Sequence, residues 1–334
     1  GEILYREGDI ESDVVVPAAI SSIVSYSVYS LFMPADAAFL PLFGNGLHYQ
    51  ISSLAELLPM ALMSIVLVLA AVVYIRTFYG LHKICKQITV VPNFVKPAIG
   101  AVLAGLVGVG LHLTFDQGDS RATLAVLSTG YGSLQTALED PAKLGIGTLL
   151  LIAGGKVLTT SLTISTGGSG GVFGPSMVIG GCVGAALGLW FQDLFGIQTH
   201  PGAYAIIGMA GFFAGAAHAP ISTIIMVSEM TGDYKLLLPT MWVSTLCFLL
   251  CRRWTLYVKQ VPTRLESPAH KGDFIVDVLE GHRVKDVFQK RDNIRRVPES
   301  TSLDDIVHIL AETHQHYFPV VDDNGKMVGI FSDD

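Results

Sequence analysis

GGSGGVFGPSMVIGG, residues Gly167–Gly181, is the stretch around which the rest of the chain is read. It is a glycine-rich, serine-bearing loop that breaks into an apolar helix at Val172, with Pro175 in the first turn. Proline is tolerated there because the N–H it lacks would have no partner inside the helix. Gly170, Gly171 and Gly174 carry no side chains, so backbone N–H groups can approach a bound group closely. A helix start also presents unpaired donors and partial positive charge. Together these describe an anion site built from backbone. Apolar segments flank the loop on both sides, which puts the site at membrane depth.

The composition agrees with that placement. The 334 residues are 51% hydrophobic and 15% charged, with a mean hydropathy of +0.52. That is too apolar for an ordinary soluble protein and points to a polytopic membrane protein. A net charge of −7 gives no reason to expect nucleic acid as a partner. The cysteines, Cys85, Cys182, Cys247 and Cys251, lie in or beside apolar stretches without metal-ligand spacing, and read as packing residues.

Taken in order, GEILYRE (Gly1–Glu7) reads as the tail of a helix already under way, so the chain is expected to be a portion of a longer one. Val14–Pro34, Leu54–Tyr79 and Val95–Phe115 are apolar segments long enough to span a bilayer, and the second runs into a basic patch of Arg76, His82, Lys83 and Lys86. Ala35–Ser53 and Asp116–Arg121 are polar connections. Leu124–Leu138, containing Gly130-Tyr131-Gly132, reads as a broken or re-entrant piece. Leu144–Thr166, with Lys156 inside it, and Val172–Phe195 flank the glycine loop. Gly180, Gly184 and Gly188 recur at the four-residue spacing of close helix packing and are read as structural. Tyr204–Ala217, Ile221–Met230 and Leu236–Leu250 are short of the roughly 20 residues a full span needs. Such pieces are tolerated at membrane depth only where they face protein or water, and transport proteins use their ends to bind ions.

At Arg252 the composition changes. Arg252, Arg253, Lys259 and Arg264 follow the last apolar piece and place the C-terminus in the cytoplasm. Beyond that, Phe274–Leu279 and Ile294–Val297 read as short strands and Leu303–Thr313 as a helix. Tyr317–Val321 and Met327–Phe331 read as a hairpin closed by Asp322-Asp323-Asn324-Gly325. The division expected is 1–260 for the membrane region and 261–334 for a linker and a small soluble domain.

GVFGP (Gly171–Pro175) resembles the G-x-F-x-P motif of the ClC family of chloride channels and chloride–proton antiporters. Gly208–Pro239 is similar to the family's next signature stretch. TLYVKQVPTRLESPAH (Thr255–His270) resembles its last membrane helix and exit. The tail from Asp273, with YFPVVDDNGKMVGIFSDD, resembles a CBS domain. The resemblance implies an all-α polytopic membrane protein of broken, tilted helices with a small C-terminal α+β CBS-like domain. It implies a voltage-gated-type chloride channel or transporter, homodimeric, multi-pass, and not an enzyme. It further implies that the N–H groups of Val172 and Phe173 and the hydroxyl of Tyr257 hold a central chloride, with Gly170, Gly171, Gly174 and Pro175 supporting the loop. No cofactor follows from it, except an adenine nucleotide at a complete pair of CBS repeats, and only one repeat is present here. The family's serine loop and gating-glutamate loop lie upstream of the stretches matched.

Glu2 matches a family glutamate, and Ile3 stands where many proton-coupled exchangers carry a proton-relaying glutamate. Isoleucine cannot relay protons, which favours a passive channel; the alternative is chloride–proton antiport. A remote alternative is an intramembrane serine protease, because Gly167–Gly171 also fits G-x-S-x-G with Ser169 as nucleophile and His218 as base. Tyr131 and His218 are read as buried packing residues, and Glu229 and Lys156 as structural pairing or pore-field charges.

Overall fold

Hydrophobic runs of the right length become helices throughout the first 250 residues. The structure is a computed structural model, and it describes every residue except 1, 7–9, 35–39, 44–46, 48, 52, 117–120, 271–282, 284–293, 314 and 333–334. The helices are α1 (Ser12–Leu31), α2 (Leu57–Gln87), α3 (Lys96–Phe115), α4 (Tyr131–Glu139), α5 (Gly145–Ser165), α6 (Phe173–Phe195), α7 (Pro201–Ala217), α8 (Pro220–Thr231) and α9 (Leu237–Leu250). Among the described residues, α1, α2 with the preceding turn, α3, α5 and α6 are long and apolar enough to cross a membrane. The span Leu54–Gln87 has 34 residues, about 50 Å of helix, so it outruns the hydrocarbon core and carries its basic end beyond it.

The expected broken piece is broken: a 3₁₀ turn over Ala122–Val126, then α4, which starts at Gly130 in the left-handed region with φ 81°. Among its described residues GEILYRE forms a 3₁₀ turn at Glu2–Leu4 and a parallel bridge from Tyr5 to Val261, and no α-helix.

The core is centred on α7, every residue of which is buried. That explains how a helix of 17 residues persists at membrane depth: it faces protein all round. Between apolar helices in lipid the drive is close packing rather than water exclusion, and small residues permit it. A Cβ placed on Gly180 would run into the carbonyl of Gly208, one on Gly184 into the carbonyl of Tyr204, and one on Gly188 would lie 3.0 Å from the backbone of Pro201. The four-residue glycine ladder is therefore the seam between α6 and α7. Cys182, Cys247 and Cys251 are free and buried, as packing residues should be.

The segment Thr255–His270 corrects an expectation. It contains no α-helix, only 3₁₀ turns at Arg264–Glu266 and Pro268–His270. Its backbone is diverted to other partners: the Leu256 N–H donates to the Ala216 carbonyl at 2.8 Å and the Tyr257 N–H to Thr255 Oγ1 at 3.1 Å. Pro262 and Pro268 remove two further donors. Gln260 Nε2 then donates to the carbonyls of Ile3 and Ala217.

The chain divides into two compact units, Gly1–His270 and Lys271–Asp334. The division falls after His270 rather than after residue 260 because residues 261–270 stay tied to the first unit. The Arg6 N–H donates to the Val261 carbonyl at 2.9 Å, and His270 Nε2 lies 2.7 Å from Glu11 Oε2.

In the second unit β1 (Val297–Pro298) pairs parallel with β2 (Tyr317–Val321), which pairs antiparallel with β3 (Met327–Ser332). The hairpin turns where its residues dictate, with Gly325 at φ 76° and Asp322 Oδ1 accepting from the N–H groups of Asn324 and Lys326. Helix α10 (Leu303–Glu312) begins at Ser302, whose Oγ accepts from the Asp305 N–H. The expected strand at Phe274–Leu279 lies outside the described residues.

Candidate anion-binding site

Two helix ends meet in the glycine loop. At the end of α5 the Gly168 N–H reaches the Thr163 carbonyl and the Gly167 N–H the Ile164 carbonyl, both at 3.0 Å. With Gly167 at φ 98° this is a Schellman stop, and the positive φ accounts for glycine there. Ser169, Gly170 and Gly171 then run exposed to Val172, the N-cap of α6. The first bond within the helix is made by the Ser176 N–H, to the Val172 carbonyl at 3.2 Å, and Ser176 Oγ also donates to it. The N–H groups of Phe173 and Gly174 therefore lie ahead of the first intrahelical donor, and Pro175 has none. Backbone donors, no basic side chain in the loop and the positive end of a 23-residue helix suit a monovalent anion.

Val172 and Phe173 are half-buried against the core, and Tyr257 packs against the same core. The Phe173 ring meets Phe213 of α7 edge-on, with centroids 5.1 Å apart. Tyr79 Oη donates to the Leu256 carbonyl at 2.5 Å, which pins the backbone just before Tyr257 to α2. Among the described residues the Tyr257 hydroxyl makes no hydrogen bond, so its donor is uncommitted.

Two tyrosines escaped the sequence reading. A Cβ on Gly174 would lie 3.2 Å from the Tyr131 hydroxyl, so this phenol reaches the first turn of α6 instead of only filling space. The signal was the Gly130-Tyr131-Gly132 start of a broken helix. Tyr74 of α2 is fully buried, and among the described residues its hydroxyl has no partner; nothing in its apolar surroundings in sequence marks it.

His218, Glu2 and Glu229 have the following surroundings. His218 Nε2 lies 3.2 Å and 3.0 Å from the carbonyls of Cys251 and Trp254, so it holds the end of α9. Ser169 is exposed in the loop and makes no bond to it, and the protease reading gains no support. Glu2 is buried, and its carboxylate accepts from the N–H groups of Ile221 and Ser222 at 3.1 Å and 2.7 Å, capping α8. Glu229 is exposed and accepts from the Tyr234 hydroxyl. Among the described residues no cluster of His, Cys, Asp and Glu could hold a metal ion.

Comparison with known proteins adds the following. The family model described as voltage gated chloride channel matches residues 1–252, and that of the CBS domain matches residues 284–334. Chloride channel protein CLC-f of Arabidopsis thaliana is 25% identical over 94% of this chain and 44% of its own length. The H(+)/Cl(-) exchange transporter ClcA of Vibrio cholerae is 41% identical over 30% of this chain and 22% of its own. The chain thus spans less than half the length of these relatives. A crystal structure of a CLC-type fluoride/proton antiporter superposes with a TM-score of 0.59 at 19% identity, covering 78% of this chain and 59% of that one. At that identity the likeness speaks for the fold alone.

Proposed function

The chain belongs to the voltage gated chloride channel family, and from that premise we propose that it forms part of a pathway moving chloride across a membrane. The observation that carries the reading is the start of α6. Among the described residues the N–H groups of Val172 and Phe173 are uncommitted and no basic side chain lies in their loop, and the Tyr257 hydroxyl, packed against the same core, makes no hydrogen bond. Backbone dipoles and a phenol attract an anion without holding it as a full charge would, and conduction needs an ion that can leave. The protein works as a homodimer with its C-terminal tail in the cytoplasm. It performs no covalent chemistry, and an adenine nucleotide belongs only to a complete pair of CBS repeats.

Transport is passive in this reading. Glu2 is spent on capping α8, and its neighbour Ile3 offers no proton-carrying group. The second reading, chloride–proton exchange, is favoured by the name of the Vibrio cholerae relative. Liposomes loaded with chloride and containing the protein separate the two. Passive transport predicts chloride flux without proton movement; sustained uphill proton movement driven by the chloride gradient refutes it, and absence of any flux refutes both.

A further inference from the structure

We propose that a groove of about 570 Å³ between the start of α2 and the end of α6 binds a hydrophobic amine, an ammonium group carried on an apolar tail, through the carboxylate of Glu56. None of the residues lining the groove belongs to the glycine loop, and the proposal does not depend on the anion-pathway reading.

The walls are apolar. Leu58 and Leu62 of α2 form one side, and Phe195 and Ile197 at the end of α6 the other. Leu58, Leu62 and Phe195 are exposed, so in a membrane the groove opens to lipid. From the groove α2 runs to the basic patch of Arg76, His82, Lys83 and Lys86. Basic ends lie on the cytoplasmic side, which puts the groove in the opposite leaflet. Trp242 of α9 donates through Nε1 to the Leu57 carbonyl at 3.2 Å. Tryptophan favours the boundary between membrane and water, and it marks the level of the groove. An amphiphile fits that level, with its tail among acyl chains and its polar end toward water. The volume is that of an ordinary small-molecule site.

Glu56 lines this apolar groove and is 7% exposed. It does not cap the helix: Ser53 Oγ accepts from the Ala55 N–H at 3.2 Å, and Glu56 makes no cap bond. Its bond among the described residues comes from the Tyr204 hydroxyl, 3.4 Å from Oε2. A strong bond from a hydroxyl to a carboxylate is roughly 2.5–2.7 Å long. No Lys, Arg or His among the described residues pairs with Glu56. A buried carboxylate without a counter-ion is costly, and at membrane depth such a group is a functional candidate by default. The opposite wall adds a second acceptor. Gln198 Nε2 donates to the Gly196 carbonyl at 3.2 Å, which leaves its Oε1 for a ligand. An ammonium brings three donors and no acceptor, and so matches a carboxylate and an amide oxygen.

The same residues argue against a phospholipid. No basic side chain lines the groove, so a phosphate would find no counter-charge and would be repelled by Glu56. Lipid tails are as apolar as the walls, and the walls hold any tail alike. Selectivity therefore resides in Glu56.

Native mass spectrometry of the full chain released from a neutral maltoside detergent tests this, with dodecylamine, dodecanol and phosphatidylethanolamine as probes. Wild-type protein is expected to take one dodecylamine saturably, and dodecanol about tenfold more weakly, the worth of a hydrogen bond between charged groups. Glu56→Gln keeps an acceptor for Tyr204; it should weaken dodecylamine about tenfold and leave dodecanol unchanged. Leu62→Trp fills the groove from its lipid-facing wall with Glu56 in place, and should weaken both. Thermal melts matching wild type exclude misfolding, and Leu62→Trp decides if Glu56→Gln melts early. Dodecylamine that binds no better than dodecanol, or equally well to Glu56→Gln, overturns the role of Glu56. Dodecylamine that binds Leu62→Trp as tightly as wild type places the amine elsewhere and overturns the groove. Phosphatidylethanolamine binding more tightly than dodecylamine makes this a phospholipid site and overturns the proposal, as does the absence of any dodecylamine adduct.

Discussion

Gly184→Ala is the perturbation whose consequence the structure sets most tightly. The added methyl would fall on the carbonyl of Tyr204 and within 3.1 Å of the Gly208 Cα. Both obstacles are backbone of α7, a helix buried on every side, so neither can swing away as a flexible side chain would. Inserting a methyl into a filled core costs about 1–3 kcal/mol. Against this stands the gain of alanine over glycine inside a helix, about 1 kcal/mol at most. The collision therefore wins or, at its weakest, balances. Gly80→Ala supplies the comparison: it lies in α2, and a Cβ there meets nothing within 4 Å. It gains the helix term without the collision. Unfolding of each variant in mixed micelles of increasing SDS content, followed by circular dichroism, should show Gly80→Ala at or above wild type and Gly184→Ala clearly below it. The cost reaches the site, because α7 carries Phe213 against Phe173. Equal stability of the two variants would refute the claim that the α6–α7 seam is closed by backbone contact.

The remaining predictions concern charges. Glu2→Gln keeps one acceptor for α8 and loses the charge at its positive end; removing a carboxylate from a partly buried helix start costs up to ~2 kcal/mol, and SDS-midpoint shifts measure it, no shift arguing against the cap. Glu11 is held below the ordinary carboxylate value by the hydrogen bond from Tyr5 first and by that from His270 second. A depressed carboxyl contributes its stabilisation fully above its ordinary value of 4.5 and loses it as pH falls through the lowered one. Hydrogen exchange at residues 264–270, corrected for intrinsic rates, should accelerate only in that acid range, and Glu11→Gln should reproduce the acceleration at pH 7. Exchange that ignores both changes would show that Glu11 does not anchor this segment.

What the sequence reveals follows from what is local. The spanning helices are legible because length and apolarity are sufficient signals in lipid. The helix start at Val172 is legible because glycine, proline and the apolar run adjoin one another, and the α6–α7 seam because Gly180, Gly184 and Gly188 repeat on one face. The stretch Thr255–His270 was misread as a helix because its backbone partners, Ala216 among them, are remote in the chain. Glu2 shows the same limit: it caps a helix start 219 residues away, which no local pattern encodes. Lys156 was visible as an anomaly, but its carbonyl partners come from a 3₁₀ turn and the residues just after it, and only folding brings them together. Tyr131 reaches the α6 terminus through the left-handed start of α4, a geometry hinted at by Gly130 alone.

The central claim is that an anion is held between the Val172 and Phe173 amides and the Tyr257 hydroxyl. Calorimetric chloride titration of purified wild-type protein against Tyr257→Phe tests it most directly. The phenol supplies one hydrogen bond to a charged partner, worth ~1.5 kcal/mol, so the central-site affinity should fall about tenfold with the fold intact. Unchanged chloride affinity and anion selectivity in Tyr257→Phe would contradict the assignment.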